Sequence, residues 1–470
     1  MHRTIPSDSV QTDDAPSLKG RREFLKQSAA GFGYLAFAGI ANRAAAAERA
    51  DRNPLDPKET HFPAKAKRVI FLYMDGAPSH IDTFDYKPQL LADDGKPGQY
   101  GGTLFGSPFK FSQHGNSGAW ISELFPSVAQ HADDLALIRS MHCDQPAHPS
   151  AMVQMHTGSA TFIRPSLGSW VVYGLGTENN DMPGFLSLNP PSAGAPNYNS
   201  AFLPSVYTGA RLGRGSVRQV GNQTAIDIAN PRLTRNQQRR QIDFIQQLNR
   251  GTLDQSAGSH RNIEGVIESF ELGYRMQDSM PELMDISRES AETLQMYGIG
   301  NGATDGFGKQ CLMARRFVES GVRFVEISYG SWDHHSKIAT NLPTRCTAVD
   351  QPIAGLLQDL KNRDLLRDTL VIWGGEFGRT PYRQGGDGRN HNNKGYTLWM
   401  AGGGVKGGIS YGATDEYGYE AVENPVHIHD WHATILHLLG LDHEQLTYRH
   451  AGRDFRLTDV HGNVVHDIIS

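Results

Sequence analysis

Six acidic and histidine residues of this 470-residue sequence are of the types that bind divalent metal ions. They are Asp75, Asp333, His334, His335, Glu376 and His391. Carboxylates neutralise an ion and neutral imidazoles complete its coordination, which is typical of zinc or manganese, with calcium or magnesium as alternatives. A pair of such ions can polarise an ester oxygen and activate a nucleophile. Taken together the residues predict a hydrolytic metal centre, although each one alone could equally be a capping group or half of an ion pair.

Predicted strands position these residues. Continuous apolar runs at 68–74, 322–328 and 369–373 predict buried strands, and 398–401 predicts a further one. Helical patterns precede two of them, and this alternation favours an α/β fold with an open sheet. In such sheets the site lies outside the carboxyl ends of the strands. All the metal-binding candidates except His391 follow one of the first three runs, so we expect them to share one edge of the sheet.

Two basic residues close to these candidates could bind an anionic substrate. Arg379 would act as a bidentate donor and Lys394 as a point charge. Arg379 could equally form a structural ion pair with Glu376 or Asp75, and both interpretations stand. The glycine-rich run 402–408 lacks the Lys-Ser/Thr ending of a phosphate loop, so we exclude nucleotide binding there and expect a tight turn at the rim of the site.

Three motifs carry a resemblance to a known family. The segment 75–85, the sequence Gly-Gly-Glu-Phe-Gly-Arg-Thr-Pro at 374–381 and the segment 429–436 resemble the DUF1501 family, exported sulfatase-like bacterial proteins. Segments 350–357 and 368–372 resemble the wider alkaline phosphatase superfamily. The resemblance covers roughly 68–460. It implies an alkaline phosphatase/sulfatase-like mixed sheet flanked by helices, with a helical insertion.

The resemblance also implies roles for the metal-binding candidates. Asp75 matches the first metal-binding Asp of the superfamily, and Asp333 with His334 or His335 matches the pair that holds a second ion. Glu376 takes the place of a metal-binding Asp, and His391 that of a late metal histidine. However, Phe377 stands where the superfamily usually has a metal histidine. Either His80, His335 or another group compensates, or one metal position is weakened or lost.

The nucleophile implied by the resemblance falls at His148 or Ser150. In the superfamily it begins a helix at a set distance before a Thr-Gly pair, and counting back from 157–158 reaches His148, with Ser150 as the nearest hydroxyl. Sulfatases instead make a formylglycine in a Cys/Ser-x-Pro-x-Arg motif, which Cys143 and Ser150 both lack. Ser150 as an alkoxide, or His148 as nucleophile or ligand, are the remaining choices, together with a simple helix start.

The first fifty residues predict an export signal. A twin arginine at 21–22 precedes a short apolar run at 28–41 and small residues at 44–47, a pattern that resembles a Tat signal peptide. The apolar run is shorter than the ~20 residues of a membrane-spanning helix. We expect a Tat signal at 1–47, a linker at 48–66 and one domain at 67–470, so that the protein is periplasmic or extracellular in a bacterium. Within the domain we expect an insertion at about 186–300: a surface excursion over 186–222 and helices over 234–300.

Composition narrows the classes of function. The 45 basic and 50 acidic residues give no electrostatic footprint for nucleic acid, and three scattered cysteines exclude a disulfide scaffold and a thiolate zinc site. We therefore expect an exported metal-dependent hydrolase of phosphate or sulfate esters that acts on a small-molecule or polysaccharide ester, with no transmembrane segment in the mature chain. The first alternative is a catalytically degenerate sulfatase-fold protein that binds metal and an anionic or carbohydrate ligand in the cell envelope. The second is an envelope interaction protein that uses the insertion as its interface.

Overall fold

The computed structural model describes residues 53–191, 195–213, 232–255 and 260–470. Residues 54–470 form one structural unit. The predicted export signal at 1–47 lies outside the described residues. Within the described ranges, no helix is both long and apolar enough to span a membrane.

The strands and helices have the following bounds. The strands are β1 (Arg68–Tyr73), β2 (Phe111–His114), β3 (Ala119–Ser122), β4 (Leu135–His142), β5 (Phe185–Leu188), β6 (Ala210–Leu212), β7 (Phe324–Ser328), β8 (Thr369–Gly374), β9 (Gly378–Gln384), β10 (Gly388–Asn392), β11 (Tyr396–Ala401), β12 (Ile409–Tyr411), β13 (Ala413–Thr414), β14 (Ala421–Glu423), β15 (Val426–His427), β16 (Tyr448–His450) and β17 (Arg453–Phe455). The α-helices are α1 (Pro88–Ala92), α2 (His148–Thr157), α3 (Leu167–Leu175), α4 (Ala195–Tyr198), α5 (Arg235–Gln255), α6 (His260–Met284), α7 (Ala291–Met296), α8 (Asp305–Glu319), α9 (Ile338–Asn362) and α10 (Ile428–Leu438).

A mixed sheet lies at the centre of the fold. Its strand order is β12-β4-β11-β8-β1-β7-β5-β6, and β15 pairs with β4. Strand β1 is parallel to both neighbours, with Ile70 opposite Val325 and Val371, whereas β11 is antiparallel to β8 and β4. The four predicted strands correspond to β1, β7, β8 and β11. The expected mixed α/β fold is therefore confirmed.

The two faces of the sheet are buried in separate cores. Ile70 and Leu72 of β1 belong to one hydrophobic cluster, and the alternate residues Val69, Phe71 and Tyr73 belong to the other. Successive side chains of a strand point to opposite faces, so helices must cover both. Helices α8 and α9 supply the first core, and α3 and α10 the second. Full burial of each large apolar side chain stabilises the fold by about 1.5–3 kcal/mol, which explains why these runs form continuous apolar strands.

Two expectations about the chain's organisation need correction. The described part of the stretch 186–222 contributes β5 and β6 to the central sheet, so a surface excursion is wrong for these residues. Its strands are three or four residues long and lie among Pro, Gly and Asn residues, which concealed them. Part of the expected linker is also packed: the amide of Lys58 donates to the carbonyl of Leu175 (2.9 Å), and that of His61 to the carbonyl of Gly440 (2.9 Å). Among the described residues of 234–300, most lie in the helices α5, α6 and α7, as expected.

The glycine-rich turn after β11 lies away from the edge where it was expected. Because β11 is antiparallel to β8, its carboxyl end meets the amino end of β8. The amide of Gly403 donates to the carbonyl of Leu366 (3.0 Å), just before β8 begins. This turn therefore lies at the edge of the sheet opposite to the ends of β1, β7 and β8.

Candidate metal centre

The parallel pairing of β1 with β7 and β8 brings three strand ends together. Tyr73, the last residue of β1, lies opposite Ser328 and Gly374. The loops that follow carry the predicted metal-binding residues, as the sequence pattern requires. Gly76 allows these loops to approach closely: its φ is +103°, and a Cβ there would lie 2.9 Å from the backbone nitrogen of Asp333. An L side chain would meet both strain and a clash at this position.

A hairpin and a helix complete the site. Strands β9 and β10 pair so that His391 lies opposite Arg379. Helix α2 begins at His148, has Pro149 in its first turn and is followed directly by Gly158, whose φ is left-handed at +70°. Proline near the start and glycine after the end are favourable helix boundaries. The site is thus assembled from three strand ends, one hairpin and one helix start.

Four side chains converge here: His148, Asp333, His335 and His391, which offer one ligand atom each within 4.8 Å of one another. Asp333 Oδ1 is the common neighbour, at 2.9 Å from His335 Nε2, 3.2 Å from His148 Nε2 and 3.4 Å from His391 Nε2. The Nε2 atoms of His335 and His391 are 3.0 Å apart. Three imidazoles and one carboxylate form a donor set suited to zinc and similar divalent ions.

The other nitrogen of each ring is already occupied by an oxygen acceptor. His391 Nδ1 contacts the carbonyl of Pro146 (2.8 Å), and His335 Nδ1 contacts Gln384 Oε1 (2.6 Å). His148 Nδ1 contacts Glu376 Oε1 (2.5 Å). A neutral imidazole that donates through Nδ1 keeps a free lone pair on Nε2, and such contacts typically orient metal-binding histidines. The four residues therefore fit a divalent cation in both donor type and ring orientation.

The charges of the site stabilise one another. Burial alone would lower the pKa of His148, but its contacts with Asp333 and Glu376 outweigh burial and raise the pKa to about 9. Burial would raise the pKa of Asp333, but His148, His391 and Arg379 hold it far below its usual value. The chain thus presents an ionised carboxylate to a protonated imidazole. A metal ion binds to deprotonated ligands, so its binding would release a proton from this pair.

Glu376 was expected to bind metal, but its oxygens are occupied by other groups. Oε1 accepts from the backbone amide of Gly76 (3.2 Å) in addition to its contact with His148 Nδ1, and Oε2 accepts from Tyr73 Oη (2.9 Å). Glu376 is fully buried and does not belong to the converging group. Phe377 packs its ring 4.7 Å from the rings of both His148 and His391. Phe377 therefore forms an apolar wall of the site, at the position where the family resemblance would place a metal-binding histidine.

Asp75, His334 and His80 are likewise not part of the converging group. Burial, followed by the charge of Glu376, raises the pKa of Asp75 to about 6, so Asp75 lies within electrostatic range of the site. His334 is buried, and burial with the charges of Arg379 and Arg345 lowers its pKa to about 4. His80 is buried and its Nε2 contacts the carbonyl of Gly418 (2.9 Å). Of the two candidates to compensate for Phe377, the structure brings in His335 and not His80.

The candidate catalytic residues have different positions. Arg379 is buried; its Nη2 lies 2.8 Å from Asp333 Oδ1 and its Nε donates to the carbonyl of Ala77 (3.0 Å). It forms a structural ion pair, but with Asp333 and not with Glu376 or Asp75. Lys394 is exposed, with its Nζ 5.3 Å from the centre of the Tyr419 ring. Ser150 donates to the carbonyl of Ala147 (3.1 Å), as expected for a residue at a helix start.

Tyr73 was missed from the sequence, although it ends the first predicted strand. A tyrosine in a fully buried strand needs a partner for its hydroxyl, and an acidic residue after the neighbouring strand is the natural one. A second buried pair was also missed: His156 Nε2 lies 3.2 Å from Glu326 Oε2, and the ring of His156 packs edge-on against Tyr73 with centres 4.6 Å apart. Glu326, an acidic residue in the middle of the apolar run 322–328, was the feature of the sequence that could have indicated this buried pair.

Comparison with known proteins gives a family and several distant structures. Residues 66–469 match the model of a family described as "Protein of unknown function (DUF1501)". No curated protein matches the sequence. Similar solved structures include the PsFucS1 sulfatase from Pseudoalteromonas sp., at 15% identity and a TM-score of 0.34, covering 81% of this chain and 68% of that one. They also include the alkaline phosphatase from the Antarctic bacterium TAB5, at 13% identity and a TM-score of 0.35, covering 80% and 98%.

Proposed function

We propose that this chain, which belongs to the DUF1501 family, is an exported hydrolase of phosphate or sulfate esters that depends on a divalent cation. We place the cation at His148, Asp333, His335 and His391. The observation that supports this most strongly is that three Nε2 atoms surround one carboxylate oxygen while all three Nδ1 atoms contact oxygen acceptors. Small-molecule or polysaccharide esters are the proposed substrates.

The donor atoms favour zinc or manganese over calcium or magnesium. Calcium and magnesium prefer sites made of oxygen ligands, whereas imidazole suits zinc and related transition metals. A bound cation would act as a Lewis acid that polarises the ester and stabilises the negative charge that develops on it. His148, Asp333, His335 and His391 would hold the cation, and this polarisation is the chemistry that it would supply.

The chain's own residues would prepare the site for an anionic substrate. Arg379 holds the carboxylate of Asp333 in place through its Nη2, and we assign it to that role instead of direct substrate binding. Asp75 has a pKa of about 6 because of burial and the nearby Glu376. Asp75 and Glu376 therefore add negative charge close to the proposed cation.

The test is to compare metal content and turnover in matched variants. His391→Ala removes a proposed ligand, whereas His450→Ala removes an exposed histidine of β16 as the control. Metal per chain would be measured by elemental mass spectrometry, and turnover with p-nitrophenyl phosphate and p-nitrophenyl sulfate. We expect His391→Ala to lose the cation and at least ~100-fold in kcat/KM, about 2.8 kcal/mol of transition-state stabilisation. Ser150→Ala, which keeps the ligands, tests the remaining hydroxyl. Equal metal content and turnover in wild type and His391→Ala would contradict the proposal.

A second function is a binding protein that has lost turnover. It is supported by Phe377, whose apolar ring packs against His148 and His391. It is supported further by Ser150, the candidate hydroxyl, which donates to the carbonyl of Ala147 at the start of α2. In that case the wild-type protein would bind a cation through the same four residues and hydrolyse neither ester. The two functions therefore make the same prediction for metal content and opposite predictions for turnover.

A further inference from the structure

We infer that this centre binds one divalent cation per chain, and that Glu376 and Tyr73 are positioning residues that hold His148 without contacting the cation. The inference deepens the proposed function and rests on its placement of the cation. It does not depend on which ester is hydrolysed, or on whether any is.

The contacts of Glu376 explain why it would not bind the cation. Its carboxylate has about four lone-pair sites, and three donors of the chain already contact them: the Gly76 amide, the Tyr73 hydroxyl and His148 Nδ1. Tyr73 is fully buried, as is Glu376. If Glu376 moved to a cation, the buried hydroxyl of Tyr73 would lose its acceptor, and leaving a buried polar group unsatisfied is costly. The carboxylate therefore stays where it is.

The other predicted metal-binding residues do not form a second cation site. Among the described residues, the only group of three or more metal-binding side chains close enough to share an ion is the one around Asp333. Asp75, the remaining predicted carboxylate ligand, belongs to no such group. Zinc sites in proteins use three or four protein ligands. A single carboxylate does not meet that requirement.

Glu376 instead acts through His148. His335 and His391 direct Nδ1 to neutral acceptors, the side chain of Gln384 and the carbonyl of Pro146, whereas His148 directs Nδ1 to a carboxylate. A carboxylate acceptor fixes the ring orientation and makes the other nitrogen a stronger donor. Tyr73 holds the second oxygen of that carboxylate, so the orientation of His148 is set by two buried residues beneath it.

The test uses zinc alone as the probe and the whole chain. Zinc per chain would be measured by elemental mass spectrometry after dialysis, and affinity by competition with a chromophoric chelator. Glu376→Gln removes the charge but keeps the shape, and Tyr73→Phe removes only the hydroxyl. Glu423→Gln, an exposed glutamate of β14, is the matched control. We expect one zinc per chain in the wild type, Glu376→Gln and Tyr73→Phe. We expect a 10–100-fold weaker affinity in Glu376→Gln, a smaller loss in Tyr73→Phe, and no change in Glu423→Gln.

A spectroscopic readout separates positioning from ligation. Cobalt(II) bound in place of zinc gives a visible spectrum that depends on the number and type of ligands. We expect Glu376→Gln and Tyr73→Phe to keep the wild-type spectrum, whereas His391→Ala changes or loses it. Two zinc ions per chain, no zinc at all, a changed cobalt spectrum in Glu376→Gln, or an unchanged zinc affinity in both Glu376→Gln and Tyr73→Phe would each overturn the inference. A protein that meets these expectations but hydrolyses neither ester would overturn the hydrolase function and leave the inference standing.

Discussion

The substitution Asp82→Asn tests whether one buried ion pair holds the hairpin that carries His391. Asp82 lies in the loop after β1, and Arg389 on β10 is two residues from His391. Both are completely buried, with 0% exposure of each. Their contact is bidentate, with Nε at 2.7 Å from Oδ2 and Nη2 at 3.0 Å from Oδ1. Although burial would raise the pKa of Asp82, Arg389 outweighs it and holds the pKa below its usual value.

The expected loss of unfolding free energy depends on which hydrogen bonds Arg389 would keep in Asp82→Asn. Removing one partner of a buried ion pair costs about 3–5 kcal/mol because the other charge stays buried and unpaired. The guanidinium would retain its bond from Nη1 to the carbonyl of Phe105 (2.8 Å), and asparagine keeps one oxygen acceptor. We therefore expect a loss near the lower end of that range, about 3 kcal/mol in the free energy of unfolding. The assay is urea unfolding followed by tryptophan fluorescence.

A matched control is available on the surface. Asp364 and Arg367 form an ion pair at 3.3 Å with side chains that are 73% and 74% exposed, and such pairs contribute about 0–1 kcal/mol. Asp364→Asn should therefore leave the unfolding midpoint almost unchanged. If Asp82→Asn destabilised the protein by no more than Asp364→Asn, the reasoning that the buried pair fixes the hairpin would be refuted. Folded Asp82→Asn should also bind zinc more weakly, because the hairpin places His391.

Two further predictions concern buried titratable groups. Burial alone would lower the pKa of His156, but Glu326 outweighs burial and raises the pKa. The ion pair therefore stabilises the folded protein fully at pH values below the unfolded pKa of histidine, about 6.5. This stabilisation is lost as the pH rises through the raised pKa of the folded state. The urea midpoint of the wild type should therefore fall as the pH rises above 6.5, and it should fall less in His156→Gln; an identical pH dependence in both would contradict this. Burial raises the pKa of Cys143 to about 12, and all three cysteines are free and buried. A disulfide reagent such as Ellman's should therefore react with no thiol of the native protein at pH 8 and with three after unfolding, and rapid native labelling would show that Cys143 is accessible.

The locations of the candidate residues were easier to predict from the sequence than their roles. Asp75, Asp333 and Glu376 follow continuous apolar runs, and parallel strands necessarily end at one edge. Whether a carboxylate binds a cation or another side chain depends on contacts between distant segments, such as Tyr73 with Glu376, and no local pattern encodes those. The choice between His334 and His335 also depended on tertiary structure, because the two residues are adjacent in the sequence and have the same chemistry.

The sequence analysis did not predict the short strands β5 and β6, and the reason is different. Hydrophobic periodicity needs several residues to distinguish a strand from a loop, and these strands have four and three. Their position beside β7 is specified by packing against a sheet that already exists, since Phe185 contacts Phe324 edge-on with ring centres 5.1 Å apart. The Pro, Gly and Asn residues around these two strands therefore led to the prediction of a surface loop from the sequence alone.

The orientation of the metal-binding rings comes from the fold and does not require the cation. The acceptors for the three Nδ1 atoms are Gln384 on β9, Pro146 before α2 and Glu376 after β8. These acceptors belong to separate elements, and two of these elements are anchored elsewhere: β9 through the buried Asp82–Arg389 pair of its hairpin, and β8 by the central sheet. Rings held in this way lose little further freedom when a ligand arrives, so the ordering cost of binding is already met by folding. The cation should therefore bind to a site that is already formed.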